Sequence, residues 1–106
     1  MVERGEVWLT ELDPTVGSEI QKTRPCVIVS PRELHGVLRT VIIAPMTTGG
    51  REAPFRIKTS FQGKTILILP DQIRSVDRSR CVKRIGRLDP RSLDYLLDLL
   101  TRIFAV

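Results

Sequence analysis

Residues 17–29 read Gly-Ser-Glu-Ile-Gln-Lys-Thr-Arg-Pro-Cys-Val-Ile-Val, and the rest of the chain is organised around this stretch. Its first part is polar and carries both charge signs, whereas residues 26–29 are apolar and mostly β-branched. A loop that runs directly into a strand holds its last side chain on a rigid base. That side chain is Arg24, which Pro25 biases toward extended geometry. Arg24 is therefore the first candidate site residue, and the alternative is a solvated arginine in an ordinary hairpin loop.

Length and composition predict one small domain, residues 1–106, with a single core. The chain has 106 residues and is 42% hydrophobic and 27% charged, as is usual for a globular protein. No apolar run approaches the roughly 20 residues that a membrane span needs. The N-terminal residues also lack the apolar core of a signal peptide. We therefore expect a cytoplasmic protein without membrane association.

An excess of positive charge favours a polyanionic partner. The chain has 17 Lys and Arg against 12 Asp and Glu, a formal charge of +5, although many basic proteins bind no nucleic acid. The last third holds a basic cluster: Arg74, Arg78, Arg80, Lys83, Arg84, Arg87 and Arg91. This cluster is either a solvated face or one side of a groove that follows a phosphate backbone.

Metal and disulfide chemistry have little support in the sequence. Cys26 and Cys81 each fall in a predicted strand, which favours small buried apolar residues over a disulfide. His35 is the one histidine, so neither a zinc site nor a two-histidine acid–base pair is expected. Phosphate-loop, HExxH and serine–histidine signatures are missing as well. We expect no metal and no cofactor.

Alternating and β-branched segments predict a succession of short strands. In chain order they cover residues 5–12, 24–30, 38–46, 54–58, 64–69, 72–76 and 81–85. Residues 40–44, Thr-Val-Ile-Ile-Ala, are typical of a central strand that is buried on both faces. Residues 31–36 connect two strands and resemble the start of a short helix.

The C-terminal segment predicts a helix. Asp89 suits the N-cap and Pro90 the first helical position. Apolar residues follow at helical spacing and form one stripe that must pack on the sheet: Leu93, Leu96, Leu97, Leu100, Ile103 and Phe104. Many short strands followed by one helix predict a mainly β or α+β fold, a strongly curled antiparallel sheet or small barrel.

Four polar residues fall at or near strand ends, where loops converge: Arg24, Thr47, Glu19 and Asp71. Such a set suits RNA cleavage by the substrate's own 2′-hydroxyl, because the RNA brings the nucleophile. Arg24 would stabilise charge on the phosphorane, and Thr47 would donate a hydrogen bond to a non-bridging oxygen. Glu19 or Asp71 would accept the 2′ proton. A barrel that only holds RNA or DNA, and a Thr47 that only bonds its own turn, are the alternatives.

Several fragments together resemble, in the same order, the MazF/PemK family of toxins from bacterial toxin–antitoxin systems. They are Arg4-Gly-Glu-Val-Trp8, Leu12-Asp-Pro-Thr-Val-Gly-Ser-Glu19, Thr23-Arg-Pro25, Ala44-Pro-Met-Thr-Thr48 and Asp71-Gln-Ile-Arg-Ser-Val-Asp77. The resemblance covers essentially the whole chain. It implies a homodimeric SH3-like barrel that acts as a metal-independent, sequence-specific endoribonuclease on single-stranded mRNA. It also implies a cognate MazE- or PemI-like antitoxin whose disordered tail occupies the RNA groove.

The resemblance assigns roles residue by residue. The family's usual catalytic pair falls on Arg24 and Thr47, and an acidic residue implicated in the PemK branch falls on Asp71. That branch's loop histidine is Ser18 here, and its arginine two positions before the acid is Leu69, so the simpler Arg24 and Thr47 scheme is favoured. Candidate RNA contacts lie in the loops and the later motif: Ser18, Gln21, Lys22, Thr48, Arg51, Phe55, Gln72 and Arg74.

Two other functions fit the same fold. Relatives of this barrel inhibit DNA gyrase without catalysis. Those inhibitors share a C-terminal Trp-Gly-Ile tail, whereas this chain ends Ile103-Phe-Ala-Val106. The second alternative is a catalytically silent RNA-binding regulator, which the presence of both Arg24 and Thr47 makes less favoured.

Overall fold

A computed structural model describes residues 2–105 as a curled antiparallel sheet with one long C-terminal helix. The strands are β1 (Glu6–Glu11), β2 (Thr23–Ile28), β3 (Thr40–Thr47), β4 (Ile57–Phe61), β5 (Lys64–Ile68), β6 (Arg74–Asp77) and β7 (Cys81–Arg87). The helices are α1 (Arg32–His35) and α2 (Pro90–Ile103). The predicted mainly β fold with a C-terminal helix is confirmed. No helix within residues 2–105 has the length and apolar character that crossing a membrane requires.

The central strand β3 organises the sheet, whose main order is β4-β5-β3-β2-β1-β7. One edge of β3 pairs with β2. Its other edge pairs first with β6 and then, at Met46 and Thr47, with β5. This change of partner along one edge bends the sheet into a half-barrel.

The two faces of the sheet bury separate apolar clusters. The cluster under α2 includes Val7, Val27, Ala44, Met46, Ile68, Leu88, Leu96 and Leu99. The opposite cluster includes Leu12, Cys26, Ile28, Val41, Ile43 and Val76. Because successive residues of a strand point to opposite faces, β2 and β3 contribute to both clusters. The apolar character of residues 40–44 reflects this double burial.

The helix α2 begins as the sequence predicts. The Asp89 carboxylate accepts a hydrogen bond from the Ser92 N–H at 3.0 Å, and Pro90 occupies the first turn. Leu96 is fully buried against the sheet. The predicted stripe is wrong at two positions. Leu99, which it omitted, is buried, whereas Phe104 follows the last helical residue and is 70% exposed.

Two predicted strand starts are displaced by turns. The strand expected from residue 54 begins at Ile57, because Phe55 adopts a φ of 68° in the preceding turn. The strand expected from residue 72 begins at Arg74, because Gln72 belongs to a 3-10 turn at Pro70–Gln72. Both turns place polar side chains near the end of β3, where the candidate site lies.

Side chains join the two outer strands of the sheet, β4 and β7. Gln62, in the β4–β5 turn, donates its side-chain N–H to the Ile85 carbonyl at 2.6 Å. The Phe61 ring lies against Gly86, where a Cβ atom would come within 2.9 Å of the ring. A glycine at residue 86 therefore allows the half-barrel to close.

Candidate active site

A cleft of about 500 Å³ opens at the ends of β2 and β3. The β1–β2 loop and the β3–β4 loop supply much of its lining. It brings together many of the residues singled out from the sequence: Ser18, Glu19, Gln21, Arg24, Thr47, Arg51 and Gln72. A second cavity of about 660 Å³ adjoins it and shares the Glu19, Ile20 and Gln72 wall.

The register between β2 and β3 explains why Arg24 and Thr47 line the same cleft. Cys26 faces Pro45 and Val27 faces Ala44. The paired residues end at Cys26 and Pro45, and the same antiparallel register, if extended by two residues, would give Arg24 and Thr47 facing positions. Both residues line the cleft. Two positions that are distant in sequence thus come together because the strands that carry them are neighbours.

Arg24 and Thr47 retain different capacities for a ligand. Arg24 donates from Nε to the Gln21 carbonyl at 3.1 Å, which fixes the guanidinium and leaves its two terminal nitrogens as donors. Thr47 is only 7% exposed. Its hydroxyl donates to the Gly49 carbonyl at 2.9 Å and accepts from the Gly49 N–H at 3.3 Å. The local turn role that the sequence left open is therefore present, in a residue that also lines the cleft.

Glu19 closes a turn within the β1–β2 loop. Its Oε1 accepts a hydrogen bond from the Val16 N–H at 2.7 Å, and its own N–H donates to the Val16 carbonyl at 3.2 Å. Within residues 2–105, Oε2 of Glu19 has no hydrogen-bond partner. The residue lines both cavities, so one carboxylate oxygen holds the loop and the other is available.

The Asp71 carboxylate is paired with Arg56, a residue that the sequence patterns did not single out. Arg56 donates from Nε to Oδ1 at 3.0 Å and from Nη2 to Oδ2 at 2.8 Å. These hydrogen bonds hold the pKa of Asp71 below its ordinary value and raise the pKa of Arg56. Arg56 also lines the cleft. No spacing signal marked it, because its partner lies 15 residues away and meets it only in the folded chain.

The C-terminal basic cluster does not form a wall of the cleft as one reading of the sequence predicted. Among the described residues, none of its members lines the cleft, although Arg74 lines the adjoining cavity. Arg74 instead donates to the Leu12 carbonyl at 2.9 Å, and Arg80 donates to the Asp13 carbonyl at 2.6 Å. These arginines hold the β1–β2 loop in place by its backbone. The positively charged side chains that line the cleft therefore belong to segments outside this basic cluster.

Besides Arg74, three predicted RNA contacts lie outside the cleft lining. Lys22 is exposed at a φ of 72°, and its N–H donates to Asp13. Thr48 lines a separate pocket with Lys58. Phe55 is 46% exposed. Gln72, by contrast, lines the cleft and accepts the Ile20 N–H at 2.7 Å, so it joins the β1–β2 loop to the 3-10 turn.

The sequence comparisons identify the family, and the structural comparisons agree on the fold. The family model described as "PemK-like, MazF-like toxin of type II toxin-antitoxin system" matches residues 3–104. The chain is 38% identical to Endoribonuclease PemK of Escherichia coli over 96% of this chain and 81% of that protein. Its fold is similar to MazF from Deinococcus radiodurans, with a TM-score of 0.87 and 23% identity over 99% of this chain and 97% of that one.

An endoribonuclease from a mycobacterial species, solved in complex with its cognate antitoxin, has a similar fold as well. The TM-score is 0.79 with 18% identity, over 96% of this chain and 93% of that one. The family match covers the β1–β2 loop, the ends of β2 and β3, and the Asp71 turn, all of which build the cleft. The chain therefore belongs to the PemK-like, MazF-like toxin family of type II toxin–antitoxin systems.

Proposed function

We propose that this chain is an endoribonuclease toxin that cuts single-stranded mRNA at specific sequences without a metal ion. The observation that carries the proposal is the convergence of Arg24 and Thr47 on one cleft from two different strands. The relationship to the PemK endoribonuclease supports the same activity. Cleavage of mRNA would stop translation and growth, which is the toxic effect.

The reaction uses the nucleophile of the substrate. The 2′-oxygen loses its proton and forms a bond to the adjacent phosphorus, while the bond to the 5′-oxygen breaks and that oxygen takes up a proton from solvent water. The products are a 2′,3′-cyclic phosphate and a 5′-hydroxyl. Arg24 binds two phosphate oxygens through its terminal nitrogens, since a guanidinium matches that geometry. The Thr47 hydroxyl donates to a non-bridging oxygen in place of the Gly49 carbonyl, so charge that develops on the phosphorane is stabilised.

Glu19 is the better candidate for the group that accepts the 2′ proton. Its Oε2 has no partner among residues 2–105, and the residue lines the cleft. Asp71 has both oxygens bound to Arg56, so protonating it would break a charge-assisted pair. In this assignment the two acidic residues have different roles. Glu19 accepts the proton, and Asp71 holds Arg56 in place.

The loops around the cleft bind the RNA bases. Ser18, Gln21, Arg51 and Gln72 line the cleft and offer hydrogen-bonding groups to base edges. The loop residues Lys22, Thr48 and Phe55 contact flanking nucleotides in our proposal, with Phe55 as a stacking surface. Arg74 contributes indirectly, because it donates to the Leu12 carbonyl and so holds the β1–β2 loop in place.

We also propose a cognate antitoxin and a homodimer. The mycobacterial structural neighbour was solved with its cognate antitoxin. An acidic, disordered antitoxin tail would suit a cleft that contains Arg24, Arg51 and Arg56. Because the substrate is mRNA, we place the chain in the cytoplasm. Mixing the chain with its antitoxin should abolish cleavage, and light scattering of the chain alone should give twice the mass of one 12.0 kDa chain.

One assay tests the activity. Purified chain is incubated with a mixed-sequence RNA in EDTA, and the cleaved ends are mapped. We expect cuts at defined sequences with cyclic phosphate and 5′-hydroxyl ends. Cleavage that EDTA abolishes would refute the metal-independent mechanism. Intact RNA together with blocked gyrase supercoiling would favour the gyrase alternative, and bound but intact RNA would favour the silent regulator.

A further inference from the structure

We propose that Arg56 is a second guanidinium that contacts the RNA phosphate in this cleft, and that Asp71 is the residue that positions it. The inference rests on the proposed function and deepens it. Neither the strand pattern nor the family resemblance singled out Arg56. Its place in the cleft follows from the short turn that ends where β4 begins, at Ile57.

Three hydrogen bonds fix the Arg56 guanidinium. The two bonds to the Asp71 carboxylate, 3.0 Å and 2.8 Å, hold one side of the guanidinium plane. The third runs from Nη1 to the Arg51 carbonyl at 2.8 Å and ties the group to the β3–β4 loop. The side chain is only 17% exposed, so a long, flexible residue is held in one orientation.

The fixed guanidinium still has donors to offer. A guanidinium carries five N–H groups, and the bonds to Asp71 and Arg51 use three of them within the described residues. One N–H remains on each terminal nitrogen. Because Arg56 shares the cleft with Arg24 and Thr47, these N–H groups can reach a phosphate that Arg24 binds, or the next phosphate of the strand.

Pairing with Asp71 reduces the electrostatic repulsion between Arg56 and Arg24. Two unpaired guanidinium groups in one cleft repel each other, and a paired carboxylate offsets that repulsion. The same pairing holds the pKa of Asp71 below its ordinary value, so the carboxylate stays ionised at neutral pH. A carboxylate held in this way orients Arg56 and is a poor proton acceptor.

Salt dependence of RNA binding separates a phosphate contact from a purely structural ion pair. The probe is an RNA with a 2′-deoxy residue at the mapped cut site, which the chain binds and does not cleave. Its dissociation constant is measured over a range of salt concentrations. Each phosphate contact to a single strand contributes about 0.7 to the slope of log K against log salt.

We expect Arg56→Gln to lower that slope by about 0.7, the value of one contact. Arg102→Gln is the matched control, since Arg102 also pairs with a carboxylate, from Nε to Asp98 at 3.2 Å, on a helix that does not line the cleft. The control should keep the unmodified slope. An unchanged slope in folded Arg56→Gln would overturn the phosphate contact.

The pH profile of cleavage tests the role of Asp71. We expect Asp71→Asn to slow cleavage about 10-fold while the fall in rate at acidic pH stays at the same pH, because another group accepts the proton. The double variant with Arg56→Gln should be no slower than Arg56→Gln alone, since both changes remove the same oriented guanidinium. Loss of the acidic limb in Asp71→Asn would make Asp71 the base and overturn the positioning role.

The outcomes separate this inference from the function on which it rests. Intact RNA with the unmodified chain would refute the proposed function itself. Cleavage by the unmodified chain, with an unchanged slope in Arg56→Gln, would refute only the role of Arg56. Thermal melting of each variant establishes that it is folded. If Arg56→Gln does not fold, the pH profile of Asp71→Asn decides.

Discussion

Backbone groups fix the position of Arg24 in two ways. The strand β2 holds its backbone, and the Gln21 carbonyl accepts from its Nε. Pro25 follows it and favours the extended conformation. In the role that we propose for Arg24, these constraints would let its two terminal nitrogens bind a phosphate with little loss of side-chain freedom.

We predict that Arg24→Ala lowers the single-turnover cleavage rate by at least ~100-fold, the usual effect of removing one transition-state donor. Arg102→Ala, which removes an arginine from α2, should cleave like the unmodified chain. The rates are measured on one RNA at saturating protein, so that weaker binding is not mistaken for slower chemistry. A normal rate in Arg24→Ala would remove this residue from the site.

Glu19→Gln tests the proton acceptor with little change of structure. The amide oxygen can still accept from the Val16 N–H, which preserves the turn. We expect cleavage to slow by about 100-fold or more, within the usual range for a general base, and the acidic limb of its pH profile to disappear. A retained acidic limb would mean that another group accepts the proton.

Glu6 is a buried carboxylate that links stability to pH. It accepts from the Glu3 N–H at 2.8 Å and the Trp8 indole at 3.1 Å, and pairs with Arg84 at 3.0 Å. Burial raises the pKa of Glu6, but the bonds from Trp8 and Glu3 and the charges of Arg84 and Arg87 together lower it below 4.5.

Because the folded-state pKa is the lower one, the stabilisation by Glu6 is fully present above pH 4.5 and is lost as pH falls through the folded-state value. Urea unfolding between pH 6 and pH 3 should therefore show a steeper loss of stability in the unmodified chain than in Glu6→Gln. Equal slopes would mean that the carboxylate charge contributes nothing to folding.

At the scale of elements, sequence patterns correctly predicted those strands and helix ends that depend on local interactions. The β-branched runs became strands, and the Asp89-Pro90 start became the start of α2. The errors lie where tertiary contacts decide, as at Phe104, which the helix leaves exposed, and in the basic cluster, whose members bind backbone carbonyls. The strand-end pattern and the family resemblance both pointed to Arg24 and Thr47 as candidates, whereas Arg56 was found only in the folded structure.

The packing of α2 on the sheet gives a prediction for this element. Leu96 is fully buried in the cluster under the helix. We expect Leu96→Ala to lower the free energy of unfolding by ~2–5 kcal/mol, since it removes buried methyl groups and leaves a cavity. Leu38→Ala makes the same change at a residue that is 46% exposed and should cost much less. Denaturant unfolding measures both, and similar losses would contradict the packing described.

At the scale of the whole molecule, closure of the half-barrel depends on Gly86. An alanine Cβ there would lie 2.9 Å from the Phe61 ring, so the ring or the strand must move. We expect Gly86→Ala to cost ~1–3 kcal/mol of stability. Gly36→Ala is the control, because within residues 2–105 an added Cβ there would have no atom within 4 Å apart from its chain neighbours, and its φ is −80°. A fully stable Gly86→Ala would show that the contact between Phe61 and β7 is dispensable.

The hydrogen bonds that hold the backbone of the β1–β2 loop have a consequence for evolution and engineering. Arg74, Arg80 and Gln72 hold this loop through the backbone atoms of Leu12, Asp13 and Ile20. Every amino acid supplies a carbonyl and all but proline supply an N–H, so paralogues can exchange the residues between these anchors without rebuilding the scaffold. If the loop contacts RNA bases as we propose, exchanging residues 14–18 between toxins while keeping Glu19, the proposed proton acceptor, is a rational way to change the cut sequence.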